Sequence, residues 1–283
     1  MLSDELQSKL DRVQTRLRQP ARALVAFSGG VDSSLLLRLA VEMLGAAQVT
    51  AVTADSPSLT RDDLTQARAL AASLGVEHVI LETKELENPA YRANAGDRCY
   101  FCKHELFSRM DELARSYGAA QVLYGAIGED RAEQRPGQRA ASEYRVAAPL
   151  QEAGLSKFDV RTLAKALGLP NWDRPQNACL SSRIPRGQEV TAAKLARIEA
   201  AEAALRREGF RQIRVRHLNA RARIEVGADE LGRFQDTEMR LRIAQVFYAL
   251  GFHDVAVARA GYQPGGADRG PMDDVPLEAM NAC

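Results

Sequence analysis

Apolar residues fall in short uninterrupted runs at 23–27, 48–53, 78–81 and 121–127, with 145–150 as a fifth, and between these runs they return every three or four positions. The runs predict strands buried on both faces, and the intervening periodicity predicts helices. A helix charged at helical spacing precedes the first strand. Strand and helix in regular alternation require parallel pairing through right-handed crossovers, which is the α/β doubly wound arrangement. A sheet of that kind takes its ligands at the carboxyl ends of its strands.

The pattern changes at Ile184-Pro185-Arg186-Gly187, so residues 1–183 form one expected domain and 184–263 a second, smaller α/β domain. In the second, Thr191 is placed to cap a helix that runs to Arg207 and stops at Gly209. Strands at 212–217 and 221–226 turn at Asn219, a helix covers 229–250, and 254–258 adds a strand. Residues 264–283, rich in Gly, Pro and Asp, read as a mobile tail.

Composition narrows the function classes. The chain has 283 residues, is 46% hydrophobic and 27% charged, and is therefore expected to fold with ample core. Lys+Arg minus Asp+Glu is 38 − 37 = +1, which gives no general field for polyanions, and nucleic acid is not an expected partner. No stretch approaches membrane-spanning length and the first eighteen residues lack a signal peptide's apolar core, so the expected location is the cytoplasm, with no membrane partner. Without an export signal, the four cysteines favour metal ligation or catalysis over structural disulfides.

Between the first strand and the next helix stands Ser28-Gly29-Gly30-Val31-Asp32-Ser33-Ser34. The glycines allow a tight turn with room for an anion, the serines supply hydroxyls, and the first helical N–H groups point outward at the positive end of the helix dipole. That is a pyrophosphate cradle. It lacks the Gly-Lys-Ser/Thr ending that stabilises charge on a leaving γ-phosphate, so cleavage between the α and β phosphates is the reading it supports. Asp55-Ser56-Pro57-Ser58 after the second strand and Gly125-Ala126-Ile127-Gly128-Glu129-Asp130 at the fourth should face the same crevice, with the nucleoside between them.

Two further groups carry chemistry. Cys99-Tyr100-Phe101-Cys102 is flanked by Arg98 and Lys103, and Cys179 lies far downstream. Three thiolates can hold a [4Fe–4S] cluster by three irons and leave the fourth open to an external ligand. The alternatives are a zinc site completed by Cys283 or His104, and thiols without metal. Arg214 and Arg216 share one strand face while Ile213 and Val215 share the other, which fits either a solvated basic face or bidentate binding of phosphate or carboxylate.

The seven-residue run resembles the PP-loop of the ATP pyrophosphatase superfamily, whose members release pyrophosphate and transfer AMP to a substrate oxygen. Over nearly its whole length the chain resembles the LarE family of ATP-dependent sulfur transferases. The resemblance rests on Arg98-Cys99-Tyr100-Phe101-Cys102-Lys103, Arg135-Pro136-Gly137-Gln138-Arg139 with Ser142-Glu143, Cys179-Leu180-Ser181-Ser182-Arg183-Ile184-Pro185-Arg186-Gly187, and Arg214-Val215-Arg216. It implies adenylation of the carboxylates of pyridinium-3,5-biscarboxylic acid mononucleotide and their conversion to thiocarboxylates, a stage in making the nickel-pincer nucleotide cofactor of lactate racemase. It implies ATP on Ser28, Gly29, Gly30, Asp32, Ser33, Ser34 and Gly125, Mg²⁺ held by the phosphates with Asp32, and the nucleotide substrate on Ser182, Arg183, Glu202, Arg214 and Arg216. Asp32, Ser33 and Cys179 are the expected catalytic residues. Some members sacrifice the sulfur of a single cysteine, which becomes dehydroalanine; this chain departs from them by having Cys99 and Cys102 as well, as cluster-dependent members do. Sulfide or a sulfur donor protein would then reload it, and a homo-oligomer is expected. The competing readings are a tRNA thiolase with the same loop, an amidotransferase-type synthetase such as NAD synthetase, and a nucleotide-binding or iron-storage module without activity.

Overall fold

The structure is a computed structural model that describes residues 2–118, 121–128, 136–263, 265–268 and 274–280. Glu129, Asp130, Arg135 and Cys283, which entered the sequence reading, lie outside the described residues. The chain divides into two compact units, residues 1–91 with 97–177 and residues 92–96 with 178–283. The second unit thus starts at Ala178, ahead of the break expected at Ile184, and takes in a short upstream segment.

In chain order the first unit runs α1 (Asp4–Leu17), β1 (Ala23–Ala26), α2 (Val31–Leu44), β2 (Val49–Asp55), α3 (Arg61–Ser73) and β3 (Glu77–Glu82). After α4 (Pro89–Ala93), whose end belongs to the second unit, come α5 (Arg98–Ser116), β4 (Gln121–Tyr124), α6 (Pro136–Glu143), α7 (Pro149–Glu152) and α8 (Lys157–Ala166). The strands form one parallel sheet in the order β3-β2-β1-β4. Ala23 and Val25 of β1 face a core with α1, α2 and α8, whereas Leu24 faces another with α5 and α6. Alternation on a strand covered on both sides makes both sets apolar, which is why the sequence shows an unbroken run. The fifth strand expected at 145–150 is reduced to one bridge, Ala147 to Leu123, because Pro149 has no N–H to continue a ladder and opens α7 instead.

The second unit contains α9 (Ala192–Arg207), β5 (Ile213–Leu218), β6 (Arg221–Val226), α10 (Thr237–Ala249), β7 (Asp254–Ala258) and β8 (Asp274–Pro276). Its sheet has the order β5-β6-β7-β8, antiparallel except where β6 meets β7. Thr191 caps α9 by accepting from Lys194 N at 3.3 Å, and Asn219 makes the β5–β6 turn at φ +58°. The long helix expected at 229–250 is broken: residues 228–235 are 3₁₀, and Asp236 leaves helical geometry to cap α10 through Met239 N at 3.1 Å. The tail is not wholly loose either, since β8 pairs with β7 and Leu277 is buried in the core. Among the described residues no helix is long and apolar enough to cross a membrane.

His217 on β5 has its pKa lowered from 6.5 to about 4, first by burial and then by Arg197 and Lys194. The unfolded chain takes up this proton near pH 6.5 and the folded chain only near pH 4, so stability present above 6.5 is lost as pH falls through that window. Urea unfolding followed between pH 7 and 4 should show the loss, and His217→Phe should flatten it; an unchanged slope in the variant would assign the acid sensitivity elsewhere.

Candidate functional site

The turn from β1 into α2 is built by its own hydroxyls. Ser28 Oγ lies 3.2 Å from Ser33 Oγ, Ser33 Oγ donates to Gly30 O at 3.0 Å, and Gly30 N donates to Ser28 Oγ at 3.4 Å. Gly29 is at φ +73°, and a Cβ there would stand 3.3 Å from Ala67 Cβ, so the left-handed turn and the close approach of α3 both require glycine. Gly30 is the N-cap of α2 and offers no side chain to the first-turn N–H groups. An uncapped helix start of this kind suits an anion.

Two residues that the motif does not contain complete the loop. Lys157 Nζ, from the start of α8, donates to both carboxylate oxygens of Asp32 at 2.7 and 2.8 Å. Asn171 Nδ2 donates to Gly29 O and to Ser34 Oγ, both at 2.9 Å. The loop has no lysine of its own, yet the fold brings one to it. Downstream, Arg174 and Asn177 bind Asp63 at 2.6 and 2.7 Å, fastening the segment after α8 to the start of α3.

Gly125 follows β4 and touches the same turn. A Cβ on it would lie 2.8 Å from Ser33 N and 3.0 Å from the Asp32 carbonyl carbon, both backbone atoms that cannot swing aside. Gly125→Ala should therefore displace the first turn of α2 and lower AMP formation roughly a hundredfold, as expected for a misplacement of about 1 Å. Undiminished turnover in that variant would remove Gly125 from the site. Ser56 and Ser58 also end a strand at this edge, but they are buried and engaged: their hydroxyls are 2.8 Å apart and Ser58 donates to Glu85 at 3.0 Å.

Cys99 and Cys102 stand in the first two turns of α5, three residues apart and so on one face. Neither is in a disulfide; Cys99 is exposed and Cys102 half-buried. Two thiols one helical turn apart suit two positions of a metal or cluster. Within either unit, no group of three or more His, Cys, Asp or Glu among the described residues is set to hold a metal ion. His104 Nε2 lies 3.1 Å from Tyr144 OH. Around this turn Arg139 stacks over Tyr100 at 3.7 Å, Tyr100 OH donates to Glu143 at 2.9 Å, and Lys103 Nζ lies 4.9 Å above the Tyr124 ring.

In the second unit the remaining candidate residues form one cluster beneath Cys179. Arg183 and Glu202 are fully buried and joined by two hydrogen bonds, at 2.9 and 3.1 Å. Arg183 also donates to the carbonyls of Ala178 and of Cys179, the latter at 2.9 Å, so the pair fixes the backbone that presents the exposed Cys179. Glu202 further accepts from Val215 N at 3.0 Å, and Arg216 donates to Ser182 O at 3.1 Å. The face carrying Arg214 and Arg216 is not solvated, since the two residues are only 5% and 3% exposed. Arg216 and Arg223 both bind Glu225, at 2.7 and 3.1 Å. The buried guanidinium groups of Arg183, Arg214, Arg216 and Arg223 thus accompany the buried carboxylates of Glu202 and Glu225, with the Asp274 carboxylate near Arg223. Burial, followed by the neighbouring charge of Arg183, lowers the pKa of Arg214 to about 10. A bound anion would relieve that cost.

With this geometry in view, comparison with known proteins is informative. Residues 5–99, which contain the loop, match the asparagine synthase family. The pyridinium-3,5-bisthiocarboxylic acid mononucleotide synthase of Lactiplantibacillus plantarum is 37% identical over 92% of this chain and 94% of its own length. The chain belongs to the LarE family. An uncharacterised protein of Synechocystis is 42% identical over 93% of this chain and 98% of its own. Likeness to a tRNA-specific 2-thiouridylase of Azorhizobium caulinodans, 31% identical, covers 64% of this LarE-family chain and 56% of the thiouridylase.

Proposed function

We propose that this chain uses ATP to adenylate the carboxylates of pyridinium-3,5-biscarboxylic acid mononucleotide and replaces each adenylate by sulfur, giving the bisthiocarboxylic product for which its Lactiplantibacillus relative is named. In this reading it serves the making of the nickel-pincer nucleotide. The observation that carries it is a PP-loop with uncapped first-turn N–H groups in a chain of the LarE family.

The chemistry follows from the residues. The triphosphate lies on the first turn of α2; Asp32, now paired with Lys157, would help the phosphates hold Mg²⁺, which would supply neutralising charge there. A substrate carboxylate oxygen attacks the α-phosphorus, the bond to the β-phosphate oxygen breaks, and pyrophosphate leaves. Sulfur then attacks the acyl carbon, and the carbon–oxygen bond to AMP breaks in turn. Ser182, Arg214 and Arg216 take the substrate's phosphate, while Arg183 and Glu202 hold Cys179 in place. Cys99, Cys102 and Cys179 would hold a [4Fe–4S] cluster, with zinc the alternative on the same thiols; when bound, the cluster supplies an iron position from which sulfur can be delivered. Sulfide or a donor protein replenishes the sulfur, and the chain works in the cytoplasm as a homo-oligomer.

Substrate and ATP dependence can be separated by mutation. Arg214→Ala or Arg216→Ala should raise the half-saturating concentration of the mononucleotide about tenfold or more, the size of one lost charge-assisted hydrogen bond, with a much smaller change for ATP. Equal losses for both ligands would mean that the buried cluster serves stability only.

A further inference from the structure

Strand β5 has a second polar group on the face away from Arg214 and Arg216. His217 alternates with Ile213 and Val215 and is only 2% exposed, with its ring 5.4 Å from that of Phe252. Among the described residues neither ring nitrogen has a hydrogen-bond partner. A buried polar group left in that state is costly, so a partner is to be sought. His217 is one of the residues that line a cavity of about 430 Å³, together with Lys194 and Arg197 of α9, Asn219 and Ala220 of the β5–β6 turn, and Gly251 and His253 ahead of β7.

The walls have one sign of charge. Lys194 and Arg197 lie three residues apart on one face of α9, and among the described residues neither pairs with a carboxylate. Lys194 Nζ donates to the backbone of Glu189 at 2.6 Å, and Arg197 reaches the carbonyl of Gly251 at only 3.5 Å while standing 5.5 Å over the Phe252 ring. Among the described residues no carboxylate lines the cavity. Gly251, at φ +85°, keeps this approach open: a Cβ there would come within 3.3 Å of the Arg197 guanidinium.

We propose that this cavity is a binding site for a phosphate-type oxyanion, held by Lys194, Arg197 and the imidazole of His217. The site is separate from the arginine cluster on the other face of the sheet and does not depend on the function proposed above. An oxyanion would give His217 the hydrogen bond it lacks, favour its protonated form and balance two cations that pair with no carboxylate among the described residues. The groups facing His217 are Lys194 and Arg197 from α9, with His253 across the cavity. The ligand's source is either inorganic phosphate or the phosphate of a nucleotide.

The test uses the full chain labelled with ¹³C at histidine, with the His217 resonance identified by its loss in His217→Gln. Inorganic phosphate, pyrophosphate and AMP are titrated separately at constant ionic strength. At least one of them should shift the His217 signal saturably and raise its pKa by about one unit or more from its low starting value. Arg197→Met or Lys194→Met should weaken that ligand about tenfold or more with the remaining histidine signals intact. Tighter binding of AMP than of phosphate assigns the site to a nucleotide; equal binding assigns it to free phosphate. A His217 signal unmoved by all three, or one that moves equally in folded Arg197→Met, would overturn the proposal.

Discussion

Replacing Asp32 by alanine should lower substrate-dependent AMP formation at least about a hundredfold, the range seen when one preorganised polar contact to a transition state is removed. Asp32 sits in the first turn of α2, where both its carboxylate oxygens are held by Lys157. That pair is about a quarter exposed on each side, with side chains at 26% and 29%, so its loss should cost the fold little. Unfolding temperature and AMP yield should therefore separate: the first nearly unchanged, the second lost. Ser33→Ala removes a hydroxyl that bridges Ser28 and Gly30 and should act in the same direction. Lys157→Met should leave the fold intact and lower the same rate, because it frees the carboxylate from its fixed position and removes a cation from the loop. Wild-type AMP yield in Asp32→Ala would sink the assignment of this loop to ATP.

The loop itself was legible because its information is local: a strand, two glycines, hydroxyls and a helix start stand consecutively in the chain. Lys157 and Asn171 were not, because they reach the loop from 125 and 142 residues away, and no spacing rule connects them to it. The arginines show a different limit. Period-two alternation correctly put Arg214 and Arg216 on one face, but alternation says nothing about whether that face is covered. Glu225 decides the matter: it stands opposite Arg214 in the β5–β6 ladder and binds Arg223 on its own strand and Arg216 on the other, and the Arg216 pairing exists only once the hairpin has closed. Arg183 and Glu202 likewise needed the fold, which joins them as a buried pair whose arginine holds the Cys179 backbone. Where single residues override a pattern the sequence misleads, as Asp236 does inside an apparently continuous helix and Pro149 at the start of an apparent strand.

The largest effect on sulfur transfer should come from the cysteines. Cys99 and Cys102 share a helix face in one unit, and Cys179 is held exposed in the other by Arg183. If the three jointly hold a [4Fe–4S] cluster, alanine at any one of them should lose iron together with sulfur transfer, while adenylation persists because the PP-loop is untouched. The three variants should then fail alike. If Cys179 is instead a sacrificial donor, Cys99→Ala and Cys102→Ala should still transfer about one sulfur per chain, and the spent protein should be lighter by roughly the mass of H₂S as dehydroalanine forms. A structural zinc site gives a third pattern, in which losing a thiol unfolds the chain and removes both half-reactions. Anaerobic purification with iron and sulfide analysis, followed by intact-protein mass spectrometry after turnover, separates the three. We expect iron-dependent transfer with no loss of mass, and dehydroalanine at position 179 in iron-free, active protein would defeat it.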